Sequence, residues 1–289
     1  MNYNMPLYRP PSEAYSLIIQ VTLGCSHNKC TFCDMYKMKK FIIKPIETIK
    51  KEIDYFRAVT QEAPRIFLAD GDALIIKFEM LKEIIQYIKE KFPECNRISM
   101  YGSPKSILLK SADELKELKE LGVFLIYLGL ESGDNEVLKK VDKGVTAKEI
   151  VEAGLKVKEA KIKLSVTAIA GLGGKEHSEQ HAINTGKIIS KITPEYFSIL
   201  SLMYNKNTVL HEEIKNSKFI PLKGFEILEE IKKIIKNIDV SSNVIFRSNH
   251  ASNYISLEGN LPKDKEKIIN EIELALKNKY FISESMRAL

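Results

Sequence analysis

Three cysteines crowd into nine residues near the start of the chain. Cys25, Cys30 and Cys33 lie in the segment that begins at Gly24, and the one other cysteine, Cys95, is far along the chain. Three thiolates on one loop can ligate three irons of a [4Fe–4S] cluster. The fourth iron would then lack a protein ligand, and an open coordination position indicates that a substrate or cofactor binds there.

A zinc site or an electron-transfer cluster is the alternative for these cysteines. Structural zinc sites normally have four ligands in paired spacings. His27 could be a fourth ligand, but it lies inside the short spacer between Cys25 and Cys30, so binding the same ion from there would strain the loop. An electron-transfer ferredoxin would normally supply four cysteines. Metal analysis separates these alternatives.

The elements that must position this loop follow a regular rhythm of strand, loop and helix. Short, continuous apolar runs predict strands that are covered on both faces. Helical segments such as Phe78–Ile88 lie between them, and Ser111 predicts a helix N-cap. The predicted strands are Leu17–Thr22, Arg65–Ala69, Arg97–Tyr101, Val123–Leu130, Ile162–Ala170 and Tyr196–Leu202.

The spacing of these strands predicts the fold class. They begin roughly thirty residues apart, which is the length of one βα unit. Six units in series predict an α/β fold, a partial (β/α)6 TIM-type barrel with parallel strands and a C-terminal extension. A doubly wound open sheet is the structural alternative. We expect one domain over residues 1–289, with a core at about 15–205 and an extension at about 206–289 that includes a strand at Asn243–Phe246 and a helix around Lys263–Lys279.

Three further motifs follow predicted strands, where parallel α/β folds carry their chemistry. Asp70–Asp72 is an acidic turn after the second strand, Gly129–Asp134 follows the fourth, and a glycine cluster begins at Gly171 after the fifth. Each has a plain alternative. Asp72 could cap the helix that follows, Glu131 could be an acid at a helix start, and the glycines are a weak signal for phosphate binding.

Together, the cysteine loop and these motifs resemble the radical S-adenosylmethionine (SAM) superfamily over roughly Leu17 to Gly174. The loop is similar to that family's signature, including an aromatic residue, Phe32, before the third cysteine. The segment from Gly129 to Gly144 resembles coproporphyrinogen-oxidase-like, methylthiotransferase-like and Elongator-like members. One departure is that four residues separate the first two cysteines, where the commonest pattern has three.

The resemblance implies a [4Fe–4S] cluster on the three cysteines and SAM at its exposed iron. It implies that the turn after the second strand receives the methionine amino group, mainly through backbone groups. It also implies that a glutamate binds the ribose hydroxyls and that the end of the fifth strand lies along adenine. The residues implied to bind the cofactors are Phe32, Asp70, Gly71, Asp72, Glu131, Ile169 and Gly171.

The reaction implied by the resemblance is reductive cleavage of SAM to a 5′-deoxyadenosyl radical, which abstracts hydrogen from a substrate. An external low-potential reductant, flavodoxin or ferredoxin, is implied with it. We expect a small polar substrate rather than a nucleic acid. A radical SAM enzyme that modifies tRNA is the alternative, and a non-catalytic zinc or electron-transfer protein is the alternative of another class.

The C-terminal part contains an irregular stretch dense in polar residues. Its side chains could bind a polar or anionic substrate if the stretch covers the barrel mouth, or they could form a hydrogen-bonded surface loop. The candidate substrate-binding residues are Arg247, Asn249, His250 and Asn253. Three other histidines, His177, His181 and His211, are expected at the surface or at helix starts.

The bulk composition restricts partners and location. The formal net charge is +6, but lysines alternate with glutamates as on solvated helix faces. The charge alone therefore does not favour a nucleic-acid partner. No apolar run approaches the length of a membrane span, and the N-terminus lacks the pattern of a signal peptide. We expect a cytoplasmic protein without a membrane partner.

Overall fold

The computed structural model describes residues 3–287 of the chain. Strands and helices alternate along most of this range. The strands are β1 Leu17–Gln20, β2 Thr22–Leu23, β3 Ile42–Ile43, β4 Arg65–Ala69, β5 Arg97–Tyr101, β6 Val123–Glu131, β7 Lys163–Ala170, β8 Tyr196–Ser201, β9 Val244–Ser248 and β10 Leu257–Leu261. The α-helices are α1 Ile46–Val59, α2 Phe78–Lys91, α3 Pro104–Leu109, α4 Ala112–Glu120, α5 Asn135–Lys140, α6 Ala147–Glu159, α7 Gly174–Ile192, α8 Val209–Lys215, α9 Gly224–Lys236 and α10 Lys265–Asn278.

The main sheet has eight strands in the order β1-β4-β5-β6-β7-β8-β9-β10. Parallel pairs include β1 with β4, β4 with β5, β5 with β6, β7 with β8 and β8 with β9, whereas β10 is antiparallel to β9. The order follows the chain without reversal, whereas a doubly wound sheet reverses at its switch point. The predicted parallel α/β fold is confirmed, and the doubly wound alternative is wrong.

Two strands of the main sheet have the bounds that the sequence predicts. β4 and β5 coincide with the predicted ranges, and Ile66, Phe67 and Leu68 are fully buried. The predicted first strand divides, because the chain leaves the main sheet after Gln20 and β2 pairs with β3 in a separate antiparallel ribbon. A short continuous apolar run cannot show where such a change of partner occurs.

The chain divides into two compact units whose segments alternate along the sequence. The first unit contains Met1–Asn28, Met35–Leu128 and Glu152–Leu164, and the second contains Lys29–Asp34, Gly129–Val151 and Ser165–Leu289. The loop that carries the cysteines contributes to both: Cys25 belongs to the first unit, and Cys30 and Cys33 belong to the second. The single-domain expectation stays a prediction.

In the first unit, the N-terminal segment is tied to the sheet by a buried carboxylate. Glu13 accepts hydrogen bonds from the hydroxyl of Tyr127 at 2.6 Å and from the guanidinium of Arg97 at 2.5 Å. Burial, followed by the hydrogen bond to Glu13, raises the pKa of Tyr127, so the phenol stays protonated and keeps donating. Capping is also as expected at Ser111, which forms a capping box with Glu114 at the start of α4.

In the second unit, β10 was not predicted. Its sequence, Leu-Glu-Gly-Asn-Leu, contains residue types that are depleted in strands. The strand forms because it pairs with β9 in register from Leu257 opposite Ser248 to Leu261 opposite Val244, which buries both of its leucines.

Among residues 3–287, no helix is both long enough and apolar enough to cross a membrane.

Candidate cofactor-binding site

In the first unit, the beginning of the cysteine loop is held by the turn that follows β4. Gly24 donates its N–H to the Asp70 carboxylate at 2.9 Å, and Gly71 donates its N–H to the Gly24 carbonyl at 3.1 Å. On the other side of the cysteine, the Ser26 hydroxyl donates to the Asp72 carboxylate at 2.5 Å. Hydrogen bonds from one acidic turn therefore fix the residues on both sides of Cys25.

The Asp70 carboxylate is fully buried, and both of its oxygens have partners. One oxygen accepts from the Gln20 amide at 2.9 Å. The other accepts from the Gly24 N–H and from the ammonium of Lys39, each at 2.9 Å. A buried carboxylate is stable only when a counter-charge and hydrogen bonds replace its water. Lys39, which the sequence did not indicate, supplies that counter-charge.

The middle of the turn requires glycine for space. A Cβ at Gly71 would lie 2.8 Å from a ring carbon of Tyr36 and 3.3 Å from the Cβ of Cys25. The turn therefore packs directly against Cys25 and the ring of Tyr36. The alternative role of Asp72 as a helix cap is wrong, because its side chain makes no capping hydrogen bond. Its other oxygen instead accepts the N–H of Ser103 at 3.1 Å.

In the second unit, the rest of the cysteine loop is fixed by its backbone. Thr31 donates its N–H to the carbonyl of Val141 at 3.0 Å and accepts the N–H of Leu210 at 3.0 Å. The Asn205 amide donates to the Asp34 carboxylate at 2.7 Å. Phe32 packs against an apolar cluster together with Ile169. Two residues implied to bind the cofactors therefore share one apolar surface.

Glu131 lies at the end of β6 and has an unusual backbone. Its φ is +60°, in the left-handed region that few residues other than glycine adopt. Its carboxylate accepts from the ammonium of Lys143 at 2.9 Å, and a Cβ at Gly129 would lie 2.1 Å from the same carboxylate oxygen. The helix-start alternative for Glu131 is wrong, because Asp134 is the N-cap of α5.

The residues after Glu131 are docked on α7. Gly133 lies so close that a Cβ there would be 2.4 Å from the backbone carbonyl carbon of Asn184, so only glycine permits this approach. Three consecutive loop residues form hydrogen bonds with this helix. The pairs are Ser132 with His181 at 2.8 Å, Gly133 with Thr185 at 3.0 Å and Asp134 with Asn184 at 2.8 Å.

His181 corrects one expectation about the histidines. It lies in the second turn of α7 and is fully buried, so the prediction of a surface or helix-start residue is wrong. Its sequence neighbours Glu179 and Gln180 are exposed, which concealed the buried face of the helix. His177 and His211 lie near the starts of α7 and α8, as expected.

Gly171, at the end of β7, also needs to be glycine. Its φ is +87°, and a Cβ there would lie 2.5 Å from the side chain of Ile227 on α9. Its N–H donates to the carboxylate of Glu230 at 2.5 Å. Glu230 is a buried acid that the sequence did not indicate, because it lies within an ordinary amphipathic helix.

The donors around these residues fit the expected cofactors chemically. No disulfide joins any of the four cysteines; those of the loop are half-buried, whereas Cys95 is buried. Among residues 3–287, no three His, Cys, Asp or Glu side chains are grouped to hold a single metal ion. A cubane cluster, however, places each thiolate on a different iron. Soft thiolate donors suit iron–sulfur chemistry, and the half-buried Glu131 carboxylate suits a ligand with hydroxyl groups.

The candidate substrate-binding residues of the C-terminal part lie in different surroundings. Asn253 is buried, accepts from the Ser201 hydroxyl at 2.9 Å and donates to the Ile199 carbonyl at 3.0 Å. Burial lowers the pKa of His250, which pairs with Ser252. Arg247 lies 3.7 Å from Glu258 across the β9–β10 pair, and Asn249 is exposed. Their role toward a substrate stays a prediction.

Comparison with known proteins adds a family and a fold. Residues 19–185, more than half of the chain, match the Radical SAM superfamily. The heme chaperone HemW of Bacillus subtilis is 24% identical over 211 residues, covering 67% of this chain and 52% of that protein. A probable threonylcarbamoyladenosine tRNA methylthiotransferase of Methanocaldococcus jannaschii is 24% identical over 220 residues, covering 73% and 50%. The chain spans about half the length of the curated relatives it matches.

Solved structures support the same fold. Coproporphyrinogen III oxidase (HemN) from Escherichia coli, described as a radical SAM enzyme, superposes with a TM-score of 0.61 at 16% identity, covering 76% of this chain and 52% of that one. Methylornithine synthase (PylB) superposes with a TM-score of 0.53 at 15% identity, covering 90% and 81%. At such identities the likeness shows the fold alone, an α/β fold of the TIM-barrel type.

Proposed function

The chain belongs to the radical SAM superfamily, and we propose that it is an enzyme that cleaves SAM reductively to act on a small polar substrate. This family binds a [4Fe–4S] cluster and SAM. The observation that carries the proposal is the contrast between two acidic turns, Asp70–Asp72 and the turn that contains Glu131. One turn fixes the residues on both sides of the first cysteine, and the other presents a half-buried carboxylate that lies against Gly129 and pairs with Lys143.

The cysteines would hold the cofactor as thiolates at three positions. Cys25, Cys30 and Cys33 are the proposed ligands. When bound, a reduced cluster would supply one electron for the cleavage of SAM to methionine and a 5′-deoxyadenosyl radical, and that radical would take a hydrogen atom from the substrate. Phe32 and Ile169 would exclude water from this region, because both pack on one apolar cluster.

Three segments would bind different parts of SAM: the ribose, the methionine ammonium and adenine. Glu131 would accept hydrogen bonds from the ribose hydroxyls, since a carboxylate can accept two at once. The backbone of the Asp70–Asp72 turn would receive the methionine ammonium, because the oxygens of Asp70 are already used to hold the loop. Backbone groups near Gly171 would lie along adenine.

Members of the family typically need an external reductant. We propose that flavodoxin or ferredoxin fills this role, since such clusters have low reduction potentials. A reducing compartment such as the cytoplasm suits these loop cysteines, because they must stay reduced to ligate iron as thiolates.

Anaerobic reconstitution with iron and sulfide, followed by reduction and addition of SAM, tests the proposal. We expect about four irons per chain and formation of 5′-deoxyadenosine. Cys30→Ala should lose both the cluster and the product, because one of three thiolate ligands is removed. Cys95→Ala is the matched control, since this buried cysteine lies outside the loop, and it should keep both.

The possible outcomes separate the alternatives. Bound zinc without iron would overturn the cluster assignment. A four-iron cluster that binds SAM without forming 5′-deoxyadenosine would overturn the catalytic proposal and favour a chaperone role, as named for the heme chaperone HemW relative. The name of the methylthiotransferase relative makes tRNA the second candidate substrate. Tight, salt-sensitive binding of tRNA would favour it over a small molecule.

A further inference from the structure

Two buried ionisable side chains of the second unit have no role yet in the proposed function. His181 on α7 and Glu230 on α9 each have a fully buried side chain. The His181 Nε2 atom lies 3.6 Å from a Glu230 carboxylate oxygen, beyond hydrogen-bonding distance but close enough for electrostatic attraction. Buried ionisable groups are costly unless their surroundings compensate them. Their contacts therefore indicate what they stabilise.

Glu230 holds the end of β7. Its carboxylate accepts the N–H of Gly171 at 2.5 Å and the hydroxyl of Ser178 on α7. A backbone N–H bound to a carboxylate makes a stronger hydrogen bond than one bound to a neutral acceptor. Glu230 therefore fixes the strand end whose backbone is proposed to lie along adenine.

His181 holds the turn that contains Glu131. Its Nδ1 atom lies 2.8 Å from the hydroxyl oxygen of Ser132, the residue directly after Glu131. That oxygen already accepts the N–H of Asp134 at 3.0 Å, so the hydroxyl proton can be donated to Nδ1. In the tautomer that carries the imidazole proton on Nε2, Nδ1 accepts from Ser132 and the proton faces Glu230.

We propose that Glu230 and His181 are positioning residues that set the Glu131 turn and the Gly171 strand end in register with each other. This inference rests on the proposed function and deepens it. The two side chains connect segments that are forty residues apart in the chain and are proposed to contact two parts of one SAM molecule, ribose and adenine. Removing either side chain loosens the spacing between these contacts without touching a cysteine.

Steady-state kinetics and SAM binding by the reconstituted protein test this inference. Glu230→Ala should raise both the KM and the Kd for SAM about tenfold or more, since a charge-assisted hydrogen bond is lost, while iron content and cluster absorbance stay unchanged. Glu230→Gln should restore both values to within about threefold, because an amide oxygen can still accept the Gly171 N–H. Glu229→Ala is the matched control on the same helix, since Glu229 is exposed and paired with Lys232.

A second variant and a second readout keep the test decisive if Glu230→Ala misfolds. His181→Asn can keep the bond to Ser132 while it loses the ring nitrogen that faces Glu230, and should weaken SAM binding less than His181→Ala. Without any cofactor, Glu230→Gln should exchange its Gly171 amide hydrogen faster than the wild-type protein. If the wild-type protein forms 5′-deoxyadenosine but SAM binding is the same in all variants, the positioning role is wrong. If the wild-type protein forms none, the proposed function itself fails.

Discussion

Asp70 directly follows β4 and Glu131 is the last residue of β6, yet their carboxylates have very different surroundings. Asp70 is fully buried, and three groups of the protein donate to its two oxygens. Glu131 keeps 14% of its side chain exposed, and its described hydrogen bond is to Lys143. The first carboxylate is fully buried and already accepts three of the about four hydrogen bonds that its two oxygens can take, whereas the second is partly exposed and retains more acceptor capacity.

The difference in burial and acceptor capacity indicates which acid can bind a ligand and which one stabilises the protein. A ligand can reach a fully buried carboxylate only by displacing protein groups that surround it, and the loss of their hydrogen bonds is costly. An acid with acceptor capacity, held in a strained left-handed backbone, can gain hydrogen bonds from a ligand. Asp70 therefore stabilises the cysteine loop, and Glu131 is the acid available to SAM.

The largest effect is expected at Asp70, the fully buried acid. Asp70→Ala would leave the ammonium of Lys39 buried without its carboxylate, so the free energy of unfolding should fall by about 3–5 kcal/mol. The loop should lose its anchor at Gly24, and less iron should be incorporated on reconstitution. Urea unfolding and iron analysis measure the two effects.

A double variant controls for the charge. Asp70→Leu combined with Lys39→Met removes both partners, so no unpaired charge remains, and most of the lost stability should return. Iron incorporation should stay low, because the Gly24 N–H still lacks its acceptor. Normal stability and normal iron content in Asp70→Ala would show that the carboxylate does not anchor the loop.

Much of this contrast lies beyond sequence reasoning. Continuous apolar runs predicted β4 and β5 to the residue, and the motifs drew attention to both acids. The sequence did not indicate the basic partners of the two acids. Lys39 and Lys143 are two lysines among many, and only the fold brings each to its carboxylate. The buried pair on α7 and α9 was missed for the same reason. An amphipathic pattern cannot distinguish a buried polar residue from an exposed one at the edge of the apolar face.

The effect at Glu131 should divide between stability and binding. Glu131→Gly removes the carboxylate but also relieves the left-handed backbone at φ +60°. We expect stability within about 1 kcal/mol of the wild-type protein or above it, because a glycine adopts this conformation without strain. The KM for SAM should nevertheless rise about tenfold, since acceptors for the ribose hydroxyls are lost.

Comparison with Glu131→Ala separates the two contributions. Alanine removes the same carboxylate but keeps the strain, so this variant should be less stable than Glu131→Gly and equally impaired toward SAM. Both variants should keep a normal cluster. Unchanged SAM affinity in both would remove Glu131 from the ribose role and erase the contrast with Asp70.

The smallest effect on function is expected at Ser111, whose hydroxyl caps α4 by accepting the N–H of Glu114 at 3.0 Å. Ser111→Ala should lower the free energy of unfolding by about 1 kcal/mol, the usual contribution of an N-cap. Iron content and the KM for SAM should not change, because Ser111 is exposed and binds neither the cysteine loop nor the Glu131 turn. A rise in the KM of Ser111→Ala would mean that modest destabilisation alone weakens SAM binding. That rise would then have to be subtracted from the larger rise in Glu131→Gly before the remainder is assigned to the carboxylate.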